Sequence, residues 1–313
     1  MRVQTTNGSA IVKSKKYSSK NGFKLFLIAV PFIIYVIAFA YVPLFGWMLA
    51  FIDYKPGIGL AKSPFVGLKF FKLIFSDSHD LLNAIKNTLG MNFLIIICSP
   101  LPAIFAIFLS EVKNKHIKKI IQTTTTLPYF VSWVIVFSMF FSLFSTEGII
   151  NHILLELNIV KEPTMILSNV NATWFVQVGL HIWKVLGYNS IIYLAAIAGI
   201  DNELFDAAKV DGASRIETIL HITVPGILET YLVLLLLSIS NMLSNDFNQY
   251  FVFYNPVIAN NIEVLDYYTY RVGIGSSDFS FATAIGMSKT VISVIMLFTA
   301  NFISKKIRGN TIV

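Results

Sequence analysis

Apolar residues run along this chain in long blocks, and polar residues gather in the gaps between them. A helix needs about 20 mostly apolar residues to cross a bilayer. Six blocks qualify: roughly Leu25–Leu49, Asn87–Leu109, Leu127–Phe144, Ala172–Gly199, Pro225–Ser244 and Thr283–Ser304. The pattern predicts an all-α polytopic membrane protein with six transmembrane helices. The first block contains Ala38-Phe39-Ala40, which mimics a signal-peptidase site. Its apolar run continues to Ala50, longer than a signal h-region, so the block is expected to stay as a span.

Composition excludes the soluble alternative. Hydrophobic residues make up 55% of the chain and charged residues only 13%, whereas a soluble domain carries about 25% charged residues. Mean hydropathy is +0.69. A soluble protein this poor in charge could not cover its surface. The single cysteine, Cys98, excludes an internal disulfide and a cysteine-based zinc site. The net charge of +7 reads as topology rather than nucleic-acid binding, and no nucleic-acid partner is expected.

Lysine and arginine positions set the orientation. Arg2, Lys13, Lys15, Lys16, Lys20 and Lys24 precede the first span, and Lys113, Lys115, Lys118 and Lys119 follow the second. Lys209 and Arg215 follow the fourth, and Lys305, Lys306 and Arg308 follow the sixth. The opposite side holds Lys55, Lys62, Lys69, Lys72, Lys161 and Arg271. The positive-inside rule places both termini in the cytoplasm of a cell-membrane protein. Trp47 and Trp174, near outer ends of spans, fit an interfacial aromatic belt. The domain organisation read this way is a disordered cytoplasmic tail over residues 1–23, a six-helix domain over 24–305, and a short cytoplasmic tail over 306–313. A cytoplasmic loop over 201–224 belongs to the six-helix domain.

That loop has a shape written into it. Asp201 can cap a short helix beginning near Glu203. Asp211-Gly212 signals a turn, because glycine accepts a left-handed backbone. Ser214 and Glu217 form an S-x-x-E capping box, so a second helix starts near Arg215. Two short helices meeting at an elbow would suit either a handle for a moving partner or an amphipathic interfacial connector.

The same residues resemble the "EAA" loop of ABC-importer permeases, through which a membrane subunit grips its ATPase. Asp206-Ala207-Ala208, Asp211-Gly212-Ala213, Ile219, Ile222 and Pro225 occupy the pattern's positions. Asp206 stands where glutamate is usual, Ile219 where an aromatic is usual, and Glu229 where a second proline is common. Other stretches carry the likeness further. They include Leu127-Pro128-Tyr129-Phe130-Val131-Ser132-Trp133, Trp183-Lys184, Gly187-Tyr188-Asn189-Ser190, the run from Leu265 to Gly273, and Ala284-Ile285-Gly286-Met287. From about Lys24 onward the chain resembles the carbohydrate-uptake branch of type I importers, of the maltose and complex-oligosaccharide kind found in Gram-positive bacteria.

The resemblance implies a type I ABC importer permease fold and a set of partners. These are a second homologous permease in a heterodimer, two ATPase subunits, an extracellular sugar-binding lipoprotein, the lipid bilayer and an oligosaccharide substrate. Asp206, Ala207, Ala208, Asp211, Gly212 and Ala213 would couple to the ATPase. ATP and Mg²⁺ would bind that partner, and this chain would need no cofactor.

Polar side chains inside membrane helices usually face a cavity or one another. His181, Lys184 and Tyr188 follow i, i+3, i+7 in the fourth span, and Ser238, Asn241 and Asn245 do so in the fifth. Lys289 interrupts the sixth. Together they are the candidate lining of a sugar passage. The competing role is helix-to-helix hydrogen bonding, worth about 0.6 kcal/mol per bond.

Catalytic motifs are missing from the sequence. Gly57-Ile58-Gly59-Leu60-Ala61-Lys62-Ser63 has the wrong spacing for a phosphate-binding loop. The five histidines show no H-x-x-x-H pair, and there is no G-x-S-x-G elbow. No catalytic or metal-binding residue is therefore assigned, and the chain is expected not to be an enzyme. Two alternatives stay open. One is a permease of the same fold for a non-sugar solute. The other is an ion-coupled secondary transporter, which would need more midplane carboxylates than this chain has.

Overall fold

The computed structural model describes residues 19–76 and 79–308. The expected N-terminal tail lies outside them up to residue 18, and helix already begins at Ser19, inside the range read as tail. At the other end helix continues to Arg308, and the remaining tail residues lie outside the described ones. The chain divides into two units between Met48 and Leu49.

The described residues of the first unit form one apolar helical run, which ends at Phe51 in the second unit. Helix α1 (Ser19–Val36) passes into a π turn over Ile37–Tyr41 and then into 3₁₀ turns over Val42–Phe51. Pro43 explains the change of pitch. Its ring has no N–H and crowds the carbonyl four residues back, that of Phe39, so the turn around Phe39 widens instead of breaking.

The second unit opens with a loop pinned by an antiparallel bridge between Ile52 and Phe65. Ser280 holds this loop from a distant part of the chain. Its hydroxyl donates to the Ile52 carbonyl at 2.7 Å and accepts from the Tyr54 N–H at 3.0 Å. The amphipathic helix α2 (Lys69–Ser76) follows. Helices α3 (His79–Ile97) and α4 (Pro100–Ser110) make the second span. They are separated at Cys98-Ser99 because Pro100 and Pro102 donate no backbone hydrogen bond.

Asn114 caps α5 (Lys115–Thr126), its side chain accepting from the N–H groups of His116 and Ile117 at 2.9 and 3.2 Å. The third span then differs from expectation. Leu127–Phe130 is a 3₁₀ turn and Val131 is extended. Ser132 caps α6 (Trp133–Phe144), so the helix begins at Trp133, not Leu127. The apolar run continues past a break at Gly148 into α7 (Ile149–Glu156). The cause is local: Pro128 fits only the first turn of a helix, and Ser132 offers the next N-cap.

Helix α8 (Thr173–Ala198) is the fourth span and packs against α3, α4 and α5. Its Gly187 lies against the chain at Thr125-Thr126. A β-carbon there would sit 2.2 Å from the Thr125 carbonyl oxygen, so only glycine allows this approach. Next come α9 (Asn202–Val210), α10 (Arg215–Thr218), a π turn over Ile219–Thr223, and α11 (Val224–Ser240). The fifth span thus runs without a break from Arg215 to Ser240 instead of starting at Pro225. Pro225 repeats the device seen at Pro43. The residue four back, His221, lies in the π turn, whose wider ring takes up the missing hydrogen bond.

After Ser240 the chain breaks and folds back into the bundle as α12 (Phe247–Phe253), α13 (Ala259–Ile262) and α14 (Leu265–Tyr270). A π turn over Arg271–Gly275 then leads to α15 (Phe279–Arg308), the sixth span. The returning segment supplies Tyr250, Phe253, Ile258, Ile262 and Val264 to a core completed by Met91, Trp133, Val136, Val178 and Leu180.

Asn87 and Arg271 show how polar groups are paired here. Asn87 donates to the carbonyls of Asn260 and Glu263 at 2.8 and 3.0 Å and accepts from the Trp174 indole at 3.2 Å. Trp174 is therefore built into the bundle and is not a free member of an aromatic belt. Arg271 forks onto Glu263, with Nε donating to Oε1 at 2.6 Å, and that hydrogen bond raises the guanidinium pKa above its ordinary value.

Candidate functional site

The elbow forms as its caps dictate. Asp201 accepts from the Glu203 N–H at 3.0 Å. At the far end of α9 the Gly212 N–H donates to the Lys209 carbonyl, and the Ala213 N–H to the Ala208 carbonyl at 2.9 Å. This pair of bonds is a Schellman closure and requires a left-handed residue at position 212. Gly212 supplies it with φ of +73°. The next helix starts on the capping box: Ser214 Oγ accepts from the Glu217 N–H, and Glu217 Oε2 accepts from the Ser214 N–H at 2.7 Å. The six residues Asp206, Ala207, Ala208, Asp211, Gly212 and Ala213 thus share one short, closed turn.

The elbow's surface is unusual for a polar loop. Asp206 pairs with Lys209 at 2.8 Å in the open. Around it, Leu204, Val210, Ile216 and Leu220 leave large apolar side chains exposed, Val210 at 87%. Apolar groups displayed on a rigid, capped turn suit contact with another protein or with the membrane interface.

Inside the bundle lies a cavity of about 390 Å³, walled by α3, α4, α8, α11 and the start of the returning segment. His181, Ser238, Asn241 and Asn245 line it, as the sequence pattern suggests. Lys184, Tyr188 and Lys289 do not. On α8 the cavity face runs through His181, Val185, Asn189 and Ile192. At about 100° per residue, Lys184 points roughly 95° away from the centre of that face. The i, i+3, i+7 spacing groups His181 with one neighbouring stripe while the cavity uses the other.

The three remaining residues have defined partners. Lys184 is buried, and its ammonium donates to the carbonyls of Pro128, Tyr129 and Val131. It also lies 5.1 Å from the centre of the Trp133 ring. These acceptors are freed by the helix break before Trp133. Tyr188 stacks on Tyr129 at 3.7 Å between ring centroids. Lys289 forms an ion pair with Asp266, whose other carboxylate oxygen accepts from the Asn245 N–H at 2.8 Å.

Among the polar residues of the cavity wall that were not anticipated are Asn92 and Asp246. Asn92 donates to the carbonyls of Met242 and Ser244, stapling the break after α11. Its position within an apolar run is the same signal that flagged Asn241. Asp246 caps α12 and accepts from the Trp133 indole at 2.6 Å. It lies just beyond an apolar block, where a carboxylate attracts no notice in sequence.

Comparison with known proteins gives concordant likenesses. Residues 98–309 match the family described as "Binding-protein-dependent transport system inner membrane component". The chain is 38% identical to protein LplB of Bacillus subtilis, covering 90% of this chain and 88% of that one. It is 37% identical, over the same shares, to the polygalacturonan/rhamnogalacturonan transport system permease protein YteP of the same organism. Among solved structures it is similar to a chain of a bacterial ABC transporter involved in the import of the acidic polysaccharide alginate. The TM-score is 0.83 and the identity 31%, covering 92% of this chain and 97% of that chain.

Proposed function

We propose, for a chain that belongs to the family of binding-protein-dependent transport system inner membrane components, that it forms one half of the passage of an ATP-driven oligosaccharide importer. It is a multi-pass membrane protein with six helical spans and the type I ABC importer permease fold. One relative is a polygalacturonan/rhamnogalacturonan transport system permease protein, which supports an oligosaccharide as cargo. In this reading a second, homologous permease completes the passage, and an extracellular sugar-binding lipoprotein delivers the sugar. Two ATPase subunits bind ATP and Mg²⁺ and carry out hydrolysis. Both termini face the cytoplasm, on the side of the Asp206–Ala213 elbow.

The elbow is the observation that carries the proposal. A closed turn with a left-handed glycine, surrounded by exposed apolar side chains, is stiff enough to transmit displacement and apolar enough to be gripped. ATP-driven closure of the ATPases would move the paired elbows together and turn the passage outward; hydrolysis would return it inward. The sugar would pass along His181, Ser238, Asn241 and Asn245.

Gly212→Val tests the handle. A β-carbon at position 212 meets nothing within 4 Å, so the variant acts through backbone strain alone, about 1–3 kcal/mol. Membrane insertion should be normal while the ATPase no longer co-purifies or uptake is lost. Normal uptake at wild-type expression would remove the elbow as the coupling element.

A further inference from the structure

The charge of the cargo is open in the comparisons, because polygalacturonan and alginate are names attached to other proteins. The cavity speaks to it directly. Among the described residues lining it, none is a lysine or arginine, and Asp246 is the one acidic residue. Neither cation on the neighbouring faces lines the cavity, although Lys184 lies within electrostatic reach of Asp246. Lys184 is held by three carbonyls on another face of α8, and Lys289 is neutralised by Asp266.

Hydrogen-bonding capacity points the same way. Four polar side chains of the wall direct donors into the protein. Asn92 donates to Met242 and Ser244, Ser238 to Leu234, Asn241 to Leu237, and Asn245 to the Tyr250 hydroxyl. Asp246 is an exposed residue of the wall, its carboxylate oxygens accepting from the Trp133 indole and the Asn248 N–H. The charged acceptor on the wall is the Asp246 carboxylate. A sugar hydroxyl can donate to an acceptor, but an ionised carboxylate cannot.

The geometry points to selection for uncharged sugars: the part of the passage built by this chain accepts neutral oligosaccharides and repels uronates, with Asp246 as the discriminating residue. This rests on the reading of the cavity as a sugar passage. A like charge within several ångströms in a half-buried site weakens binding by roughly tenfold or more.

The test uses one carbohydrate skeleton in two charge states, the galacturonic acid trimer and its fully methyl-esterified form. Competition by saturation-transfer NMR on the purified permease–ATPase complex reads their relative affinity. The ester should bind about ten times more tightly than the acid, and Asp246→Asn should bring the two within about twofold. Asparagine keeps both the helix cap and an acceptor for Trp133. Asp246→Ser, which keeps the cap, serves as the second variant, and thermal melting confirms that each is folded. If the acid binds as tightly as the ester in the wild type, or if neither variant narrows the ratio, charge selection is refuted while the passage stands. If neither trimer contacts the complex, or Asn241→Leu alters the binding of neither, the passage reading itself falls and this inference with it.

Discussion

Replacing Lys184 by methionine separates two roles that the sequence leaves tied. The substitution keeps the length and apolar stem of the side chain but removes the ammonium. Three backbone carbonyls, of Pro128, Tyr129 and Val131, then lose their donor in a region where Lys184 is only 7% exposed. Hydrogen bonds to a charged group contribute about 1.5–3 kcal/mol each, and the ring contact with Trp133 adds about 1 kcal/mol. Relief from burying an ammonium offsets several kcal/mol of this loss. A net destabilisation of about 3 kcal/mol remains, which corresponds to a fall in melting temperature of about 6 °C for a domain of this size.

The assay is thermal melting of the detergent-purified complex, paired with uptake per folded complex in proteoliposomes. The clamp role demands early melting with transport largely kept at low temperature. A variant that melts with the wild type yet transports poorly would show that Lys184 touches the cargo. The carbonyl clamp would then be wrong as an account of this residue.

Further outcomes follow from other contacts. Gly187→Ala forces a β-carbon against the Thr125 carbonyl, and the two helices must separate. A loss of about 1–3 kcal/mol should lower yield and melting temperature, and unchanged melting would show that the close approach is absent. Asn241→Leu should impair uptake while the complex still assembles and hydrolyses ATP; wild-type concentration dependence would assign the residue to helix packing. With Cys98 replaced by serine, a cysteine at position 212 should resist impermeant thiol reagents in intact cells and react in inverted vesicles. Labelling from outside would reverse the topology and detach the elbow from any cytoplasmic ATPase.

Sequence alone determined what avoids water and where the chain turns. Six apolar blocks gave the membrane class because a bilayer rewards length and apolarity, both of which are local. The elbow was equally legible: Asp201, Gly212, Ser214 and Glu217 act on neighbours within a few residues, so their caps need no tertiary partner. Tertiary structure decided which side of each helix faces inward. In a bilayer the lipid side and the protein side are both apolar, so the contrast that reveals an inner face in soluble proteins is weak. His181 and Lys184 therefore looked like one face and belong to two. The breaks were also undecided. Pro225 reads as a helix start, yet the π turn around His221 carries the helix through it. Pro128, in contrast, ends its helix and frees the carbonyls that Lys184 needs. Those acceptors lie more than fifty residues from the lysine in sequence, and only packing α8 against the end of α5 brings them together.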